Sequence, residues 1–238
     1  MIDAKVLLAE KRKYGLSETI APQELQLLAN DVPVQKIIGY VELANVKIDL
    51  SHFVLIPRYE TEELVFLALE LIRKHKLQTV LDLGCGSGFI GIAIKRNLPD
   101  DVTITLSDVD PQAIAQTQIN LALNGVQAEV IQSDWFAQLD NKRFDLIISN
   151  PPYLKFSERA SMSSSVLKHE PHHALFAKQA GLEYYQLIEK HLNQYLNTGG
   201  FILLEINPLN QTWFVKHHYH ILHDINQKAR FAWKQKLV

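Results

Sequence analysis

The chain has 238 residues, 47% hydrophobic and 21% charged, the balance of a globular protein with one main domain and room for a small appendage. Its 24 basic and 26 acidic residues leave a net charge of −2, so no global positive field favours nucleic acid or an anionic membrane, and direct nucleic-acid binding is not expected. The single cysteine, Cys85, has no partner for an internal disulfide, and no run approaches the ~20 apolar residues of a membrane span, so a cytoplasmic protein without a membrane partner is expected.

Residues 2–14 and 23–30 carry the pattern of two short helices, and residues 41–50 read as a hairpin turning at Ala44-Asn45. Leu64, Ala68, Leu71 and Ile72 share one face of an amphipathic helix, and Arg73-Lys74-His75-Lys76 forms its solvated end, where cations suit the dipole. Glu60 and Glu62 suit the first turn of that helix better than an acid/base pair.

From about residue 79 onward, short β-branched runs alternate with helical patterns, which predicts an α/β sheet covered by helices on both faces. The strands are placed at Thr79 to Leu83, Val102 to Ser107, Ala128 to Ile131 and Phe144 to Ser149. A helix from Phe89 stops at Pro99, and a second runs from the Asp110-Pro111 cap to Asn124-Gly125. Tyr185, Ile188, Leu192 and Leu196 give a later helix, which Gly199-Gly200 is expected to break before a strand at Phe201 to Ile206. Runs near Ile221 and from Ala229 to Trp233 are expected to close the far edge as a hairpin.

The loop Asp82-Leu83-Gly84-Cys85-Gly86-Ser87-Gly88 lies between a strand and a helix, where glycines let a ligand approach the backbone. Gly86, Gly88 and Gly91 also spell a dinucleotide fingerprint, and Asp108 follows Gly88 at the interval of a ribose-binding carboxylate. By itself this pattern admits either a nicotinamide cofactor or S-adenosylmethionine. Cys85 reads as a small spacer rather than a catalytic thiol.

The fourth strand runs into Asn150-Pro151-Pro152-Tyr153, and the prolines end the ladder and make the motif a loop facing the same crevice. The Asn150 carboxamide offers an acceptor and two donors, and the diproline fixes where neighbouring carbonyls point. The Asn150 oxygen and the Pro151 carbonyl suit the two hydrogens of one substrate NH2 group, and Tyr153 supplies an aromatic wall for a flat group.

Asp82 to Gly88, Asp108 and Asn150 to Tyr153 together resemble the Rossmann-like methyltransferases that modify planar nitrogens. The stretch Leu55 to Glu62, Ser133-Asp134-Trp135, His169-Glu170-Pro171 with Ala174-Leu175-Phe176, and Gly199-Gly200 through Ile206 narrow the resemblance to the glutamine methyltransferases of peptide chain release factors, from about Pro33 to Arg230. The resemblance implies a mostly parallel seven-stranded sheet and methyl transfer from S-adenosylmethionine to the glutamine amide of a release factor's Gly-Gly-Gln loop. It further implies that Gly84, Cys85, Gly86, Ser87 and Gly88 hold the cofactor's methionine part, Asp108 its ribose and Trp135 its adenine. Asn150, Pro151, Pro152 and Tyr153 would hold the glutamine, with Asn150 also next to the cofactor, and no metal is implied.

Tyr59 stands where this family usually has proline and Asn207 where it usually has glycine. About thirty residues precede Pro33, fewer than the family's helical N-terminal domain, so docking is expected to rely on Leu55 to Glu62 and the stretch after Tyr153. The chain is divided into a helical segment at 1–32, a connecting hairpin at 33–58 and a methyltransferase domain at 59–238. Two histidine clusters, at 169–173 and 217–223, lack the companion ligands of a zinc pattern. A ribosomal-protein glutamine, a nucleic-acid base nitrogen, and an inactive cofactor-binding partner protein remain as alternative readings.

Overall fold

A computed structural model describes residues 3–99 and 101–237. Three short helices, α1 (Ala4–Lys13), α2 (Pro22–Ala29) and α3 (Val34–Ile38), gather around Leu7, Leu28 and Val34 in a small apolar cluster of their own. Asp3 caps α1 by accepting from the Lys5 amide, and the Lys11 ammonium is held between the Thr19 carbonyl and Glu24. The expected first helix begins at residue 2, which lies outside the described residues.

The hairpin of β1 (Tyr40–Leu43) and β2 (Val46–Asp49) turns at Ala44 and Asn45, both at positive φ, as a two-residue connection between twisted strands requires. Next, α4 (Tyr59–His75) buries Leu64, Val65, Ala68, Leu69 and Ile72 along one stripe and ends in a basic last turn. Glu62 in its first turn accepts from the Ala44 amide, tying the helix to the hairpin.

The main sheet alternates with helices: β3 (Thr79–Leu83), α5 (Phe89–Arg96), β4 (Thr103–Asp108), α6 (Pro111–Asn124), β5 (Glu129–Gln132) and β6 (Phe144–Ser149). Beyond β6 come α7 (Ser164–His169), an irregular turn α8 (Lys178–Gly181), α9 (Glu183–Tyr195), β7 (Leu196–Glu205), α10 (Gln211–Lys216), β8 (His220–His223) and β9 (Ala229–Gln235). The strand order is β5-β4-β3-β6-β7-β9-β8, parallel up to β7 and antiparallel at the last two pairings. The expected far-edge hairpin is therefore present. Central strands read as continuous apolar runs because helices cover both faces, and Val80, Leu81, Leu146, Ile147 and Ile148 are all buried.

From β3 the chain proceeds outward through β4 and β5, then crosses back to β6 on the other side of β3. That reversal opens a crevice at the carboxyl ends of β3 and β6. Beside α5, α6 presents Gln116, Asn120 and Asn124 to the hairpin and the residues that follow it. They accept from the backbone amides of His52, Asp49 and Lys47 respectively, so polar residues on a packed helix face satisfy the edge of β2.

One boundary differs from the sequence expectation. Instead of being broken by glycines, α9 gives way directly to β7 at Leu196, which pairs with Phe144 across a register shift. Gly199, at φ +79, and Gly200, where a Cβ would meet the Asp145 carbonyl at 2.9 Å, lie inside the strand and pass its irregularity. Periodicity from Tyr185 to Leu196 cannot separate the helix's last apolar position from the strand's first. Among the described residues, no helix is long and apolar enough to cross a membrane.

Candidate functional site

A cleft of about 790 Å³, counting its open mouth, lies at the crevice and runs from the glycine loop after β3 to the loop after β6. Gly84 and Gly86 adopt φ +74 and +56, and a Cβ on either would meet nothing within 4 Å, so bare backbone faces open space. The loop is pinned from below: the Gly84 and Cys85 amides donate to the Ser107 carbonyl at 2.8 and 2.9 Å. Asp108 at the end of β4 accepts from the Gly86 amide through Oδ2 and from the Asp110 amide through Oδ1, at 2.8 and 2.9 Å. Burial pushes its pKa upward, and the two amides pull it back.

Asp82 lies beneath the same loop, fully buried. Its Oδ2 accepts from the Gly91 amide at 2.8 Å, and its Oδ1 has no hydrogen-bond partner. Burial shifts its pKa up to about 7, against the pull of the Gly91 amide. On the far wall Trp135 adopts φ +52 and stacks on Tyr184, with ring centroids 4.6 Å apart and planes 24° from parallel.

The loop after β6 is held at both ends by one carboxylate. The Asn150 Nδ2 donates to the Thr61 hydroxyl at 3.2 Å, the Thr61 hydroxyl donates to Glu205 at 2.8 Å, and the Tyr153 hydroxyl donates to the other oxygen of Glu205 at 3.0 Å. Burial pushes the Glu205 pKa up, while Thr61, Tyr153 and the positive charge of Arg230 oppose that shift. Further along, Leu154 pairs with the strand-like run at Phe176. The Arg58 guanidinium clamps buried Glu170 through both oxygens, and Glu170 also accepts from the Ile56 amide. The segments before α4 and after α7 are thus brought together beside the cleft, which Leu55 and Pro171 help to line.

Gly181 seals the back of this loop at φ +83, where a Cβ would stand 2.3 Å from the Tyr153 carbonyl oxygen. Gly181→Ala is therefore expected to combine backbone strain with overpacking and to cost ~2–4 kcal/mol. Chemical denaturation checks this, and a stability unchanged within error would show that Tyr153 is free to retreat.

A family model described as "Methyltransferase small domain" matches residues 65–195. A release factor glutamine methyltransferase of Lactococcus lactis is 38% identical over 198 residues, covering 80% of this chain and 72% of that protein. Its counterpart from Streptococcus pneumoniae is 39% identical over 184 residues, covering 76% of this chain and 64% of that one. The chain belongs to the release factor glutamine methyltransferase family. A methyltransferase structure from Pyrococcus furiosus shares the fold, with a TM-score of 0.58 and 14% identity, covering 92% of this chain and all of that one.

The methyltransferase cleft gathers six of the residues singled out from sequence: Gly84, Gly86, Asp108, Trp135, Asn150 and Pro152. The remaining ones stand elsewhere. Cys85 is buried with its sulfur 3.5 Å from the Thr117 hydroxyl, Ser87 is buried with its carbonyl accepting from Asn120, and Gly88 starts α5 packed on Thr117 and Ile92. Pro151 is buried behind the loop, and the Tyr153 hydroxyl turns to Glu205.

Sequence reasoning missed Tyr184, on the first turn of α9, and it placed Thr61 and Glu205 only within the family-like stretches, giving no role to their meeting across 144 residues. It read Asp110 only as a cap, whereas Asp110 also pairs with His173 at 3.2 Å on the cleft wall. His169 and His172 instead contact the carbonyls of Asn30 and Leu167, and the described residues hold no group of three or more His, Cys, Asp or Glu side chains placed for a metal ion. Open glycine backbone, a carboxylate and an aromatic wall along one cleft fit S-adenosylmethionine, whose ends are a zwitterion and a flat base.

Proposed function

We propose that this methyltransferase modifies the side-chain amide nitrogen of the glutamine in the Gly-Gly-Gln loop of a peptide chain release factor. The observation that carries the reading is Asn150: it lines the cleft beside the open glycines with its Nδ2 engaged by Thr61, and no protein group among the described residues donates to its Oδ1. A free carboxamide oxygen suits an NH2 group, which must donate hydrogens. The family relationship and the activity for which the Lactococcus and Streptococcus relatives are named support the same substrate.

In this reading Gly84 and Gly86 take the methionine part of the cofactor, Asp108 the ribose hydroxyls and Trp135 the adenine. Cys85, Ser87 and Gly88 act beneath, by shaping the glycine turn. When bound, S-adenosylmethionine supplies a sulfonium-activated methyl group. An amide nitrogen is a poor nucleophile because its lone pair is delocalised, so the chain's work is to align the nitrogen and exclude water. Asn150 and the Pro151 carbonyl would orient the NH2 group, while Pro152 and the Tyr153 ring would confine the flat amide.

Residues 59–238 form the catalytic domain in this reading, and the helical segment at 1–32 and connecting hairpin at 33–58 flank the substrate side. The Arg58 to Glu170 clamp gives the docking surface a fixed base by joining the Leu55 to Glu62 stretch to the segment beyond Tyr153. The near-neutral charge fits a protein partner better than a nucleic acid, and a release-factor substrate places the enzyme in the cytoplasm. The test incubates the enzyme and labelled S-adenosylmethionine in parallel with intact release factor, its Gln→Ala variant, ribosomal proteins and DNA. Label is expected on intact release factor alone, and a free glutamine is expected to react poorly for want of remote binding energy. Label on DNA, or equal label on the Gln→Ala variant, overturns the reading.

A further inference from the structure

Three side chains from distant parts of the chain form a hydrogen-bond chain whose direction is fixed at one end. Glu205, at the end of β7, is 1% exposed and takes the hydroxyl protons of both Thr61 and Tyr153. Each of its oxygens is thus an acceptor, Oε2 for Thr61 and Oε1 for Tyr153. Thr61, in the first turn of α4 and 4% exposed, has one hydroxyl proton, and it is given to Glu205. What Thr61 can still offer to Asn150 is a lone pair. The Asn150 carboxamide must therefore turn its NH2 toward Thr61, at 3.2 Å, leaving its oxygen for the cleft.

We infer that Thr61 and Glu205 are positioning residues that set the polarity of the Asn150 carboxamide, so that the site receives a hydrogen-donating amide or amine nitrogen and turns away an acceptor. This rests on the amide reading of the substrate given above. Both groups act through Asn150 and do not touch the cleft: neither lines it. The same carboxylate holds Tyr153, so one buried group fixes the two ends of the substrate loop against each other.

Replacing Glu205 by glutamine keeps the shape but supplies an NH2 group able to donate to the Thr61 oxygen. That frees the Thr61 proton for the Asn150 oxygen and allows the carboxamide to reverse. Thr61→Val removes the hydroxyl and keeps the bulk.

The test measures turnover and cofactor KM on release factor for Thr61→Val, Thr61→Ser and Glu205→Gln, with thermal midpoints alongside. Thr61→Val and Glu205→Gln are expected to lower kcat at least about tenfold with cofactor KM within about twofold, and Thr61→Ser to restore kcat to within about threefold. Turnover of Thr61→Val within twofold of wild type, or a loss that Thr61→Ser does not recover, overturns the inference. A second readout needs neither a substrate nor a variant that folds well. In the wild-type protein with S-adenosylhomocysteine, the Asn150 side-chain NH2 protons should show a nuclear Overhauser effect to the Thr61 methyl group. Absence of that contact overturns the inference even if release factor is methylated; its presence in an enzyme that leaves release factor unlabelled sinks the substrate reading and not the relay.

Discussion

Asn150→Asp is expected to lower turnover about 100-fold or more while the protein stays folded and binds its cofactor near-normally. The substitution keeps the shape of the side chain and removes the NH2 that donates to Thr61. The Thr61 proton is already held by buried Glu205, so an aspartate at 150 gains no donor from that side and sets a second carboxylate near the first. The new carboxylate would turn or protonate to relieve this repulsion, and either response spoils the alignment of an amide whose reactivity depends on positioning. Single-turnover kinetics report the chemical step, and circular dichroism with a thermal midpoint reports the fold. Near-normal turnover of a folded Asn150→Asp protein would mean that the loop after β6 is only structural.

Asp108→Ala should weaken S-adenosylmethionine binding by ~1.5–3 kcal/mol, roughly 10- to 150-fold, through loss of charge-assisted hydrogen bonds to the ribose. The geometry adds a second source of loss. Asp108 also accepts from the amides of Gly86 and Asp110, so its removal leaves two loop donors without their acceptor and loosens the glycine turn. Asp108→Asn separates the two effects, because it keeps an acceptor oxygen for one amide and loses the charge. Calorimetry on the folded variants measures both, and an unchanged affinity in Asp108→Ala would remove Asp108 from the cofactor site. The pH dependence has a definite sign. Burial raises the Asp108 pKa, so its ionised form begins to be lost on acidification at a higher pH than for an ordinary aspartate, and cofactor affinity should fall from that point downward.

Much of the architecture was legible because it is written locally. Val80 and Leu81, and Leu146 to Ile148, are apolar on both strand faces, which only a sheet covered on both sides tolerates, and Asp110-Pro111 with Gly125 marks both ends of α6. The glycine turn, the carboxylate closing the second strand and the Asn-Pro-Pro-Tyr loop all sit at strand ends. The strand order then brings them to one crevice without further instruction. Local pattern failed at Leu196, where the helix's last apolar position and the strand's first coincide in phase.

The sequence by itself thus determined the fold class, which rests on patterns a few residues long, and the cofactor class, which needed the glycine loop, Asp108 and the Asn150 to Tyr153 loop read together. Which members of those motifs line the cleft was decided by tertiary structure alone. Cys85 and Ser87 are buried, the Cys85 sulfur against Thr117 of α6 and the Ser87 carbonyl accepting a hydrogen bond from Asn120, whereas their neighbours Gly84 and Gly86 face the cleft at positive φ. The partners of the loop after β6 were likewise invisible as partners: Gly181 and Tyr184 lie in no motif, Thr61 and Glu205 lie in family-like stretches that give no hint of their meeting, and they reach Asn150, Tyr153 and Trp135 only because the sheet order folds α4, β7, α8 and α9 onto the end of β6. A hydrogen bond spanning 144 residues leaves no periodicity to read, since its requirement is geometric and is met only when the whole core has closed around it.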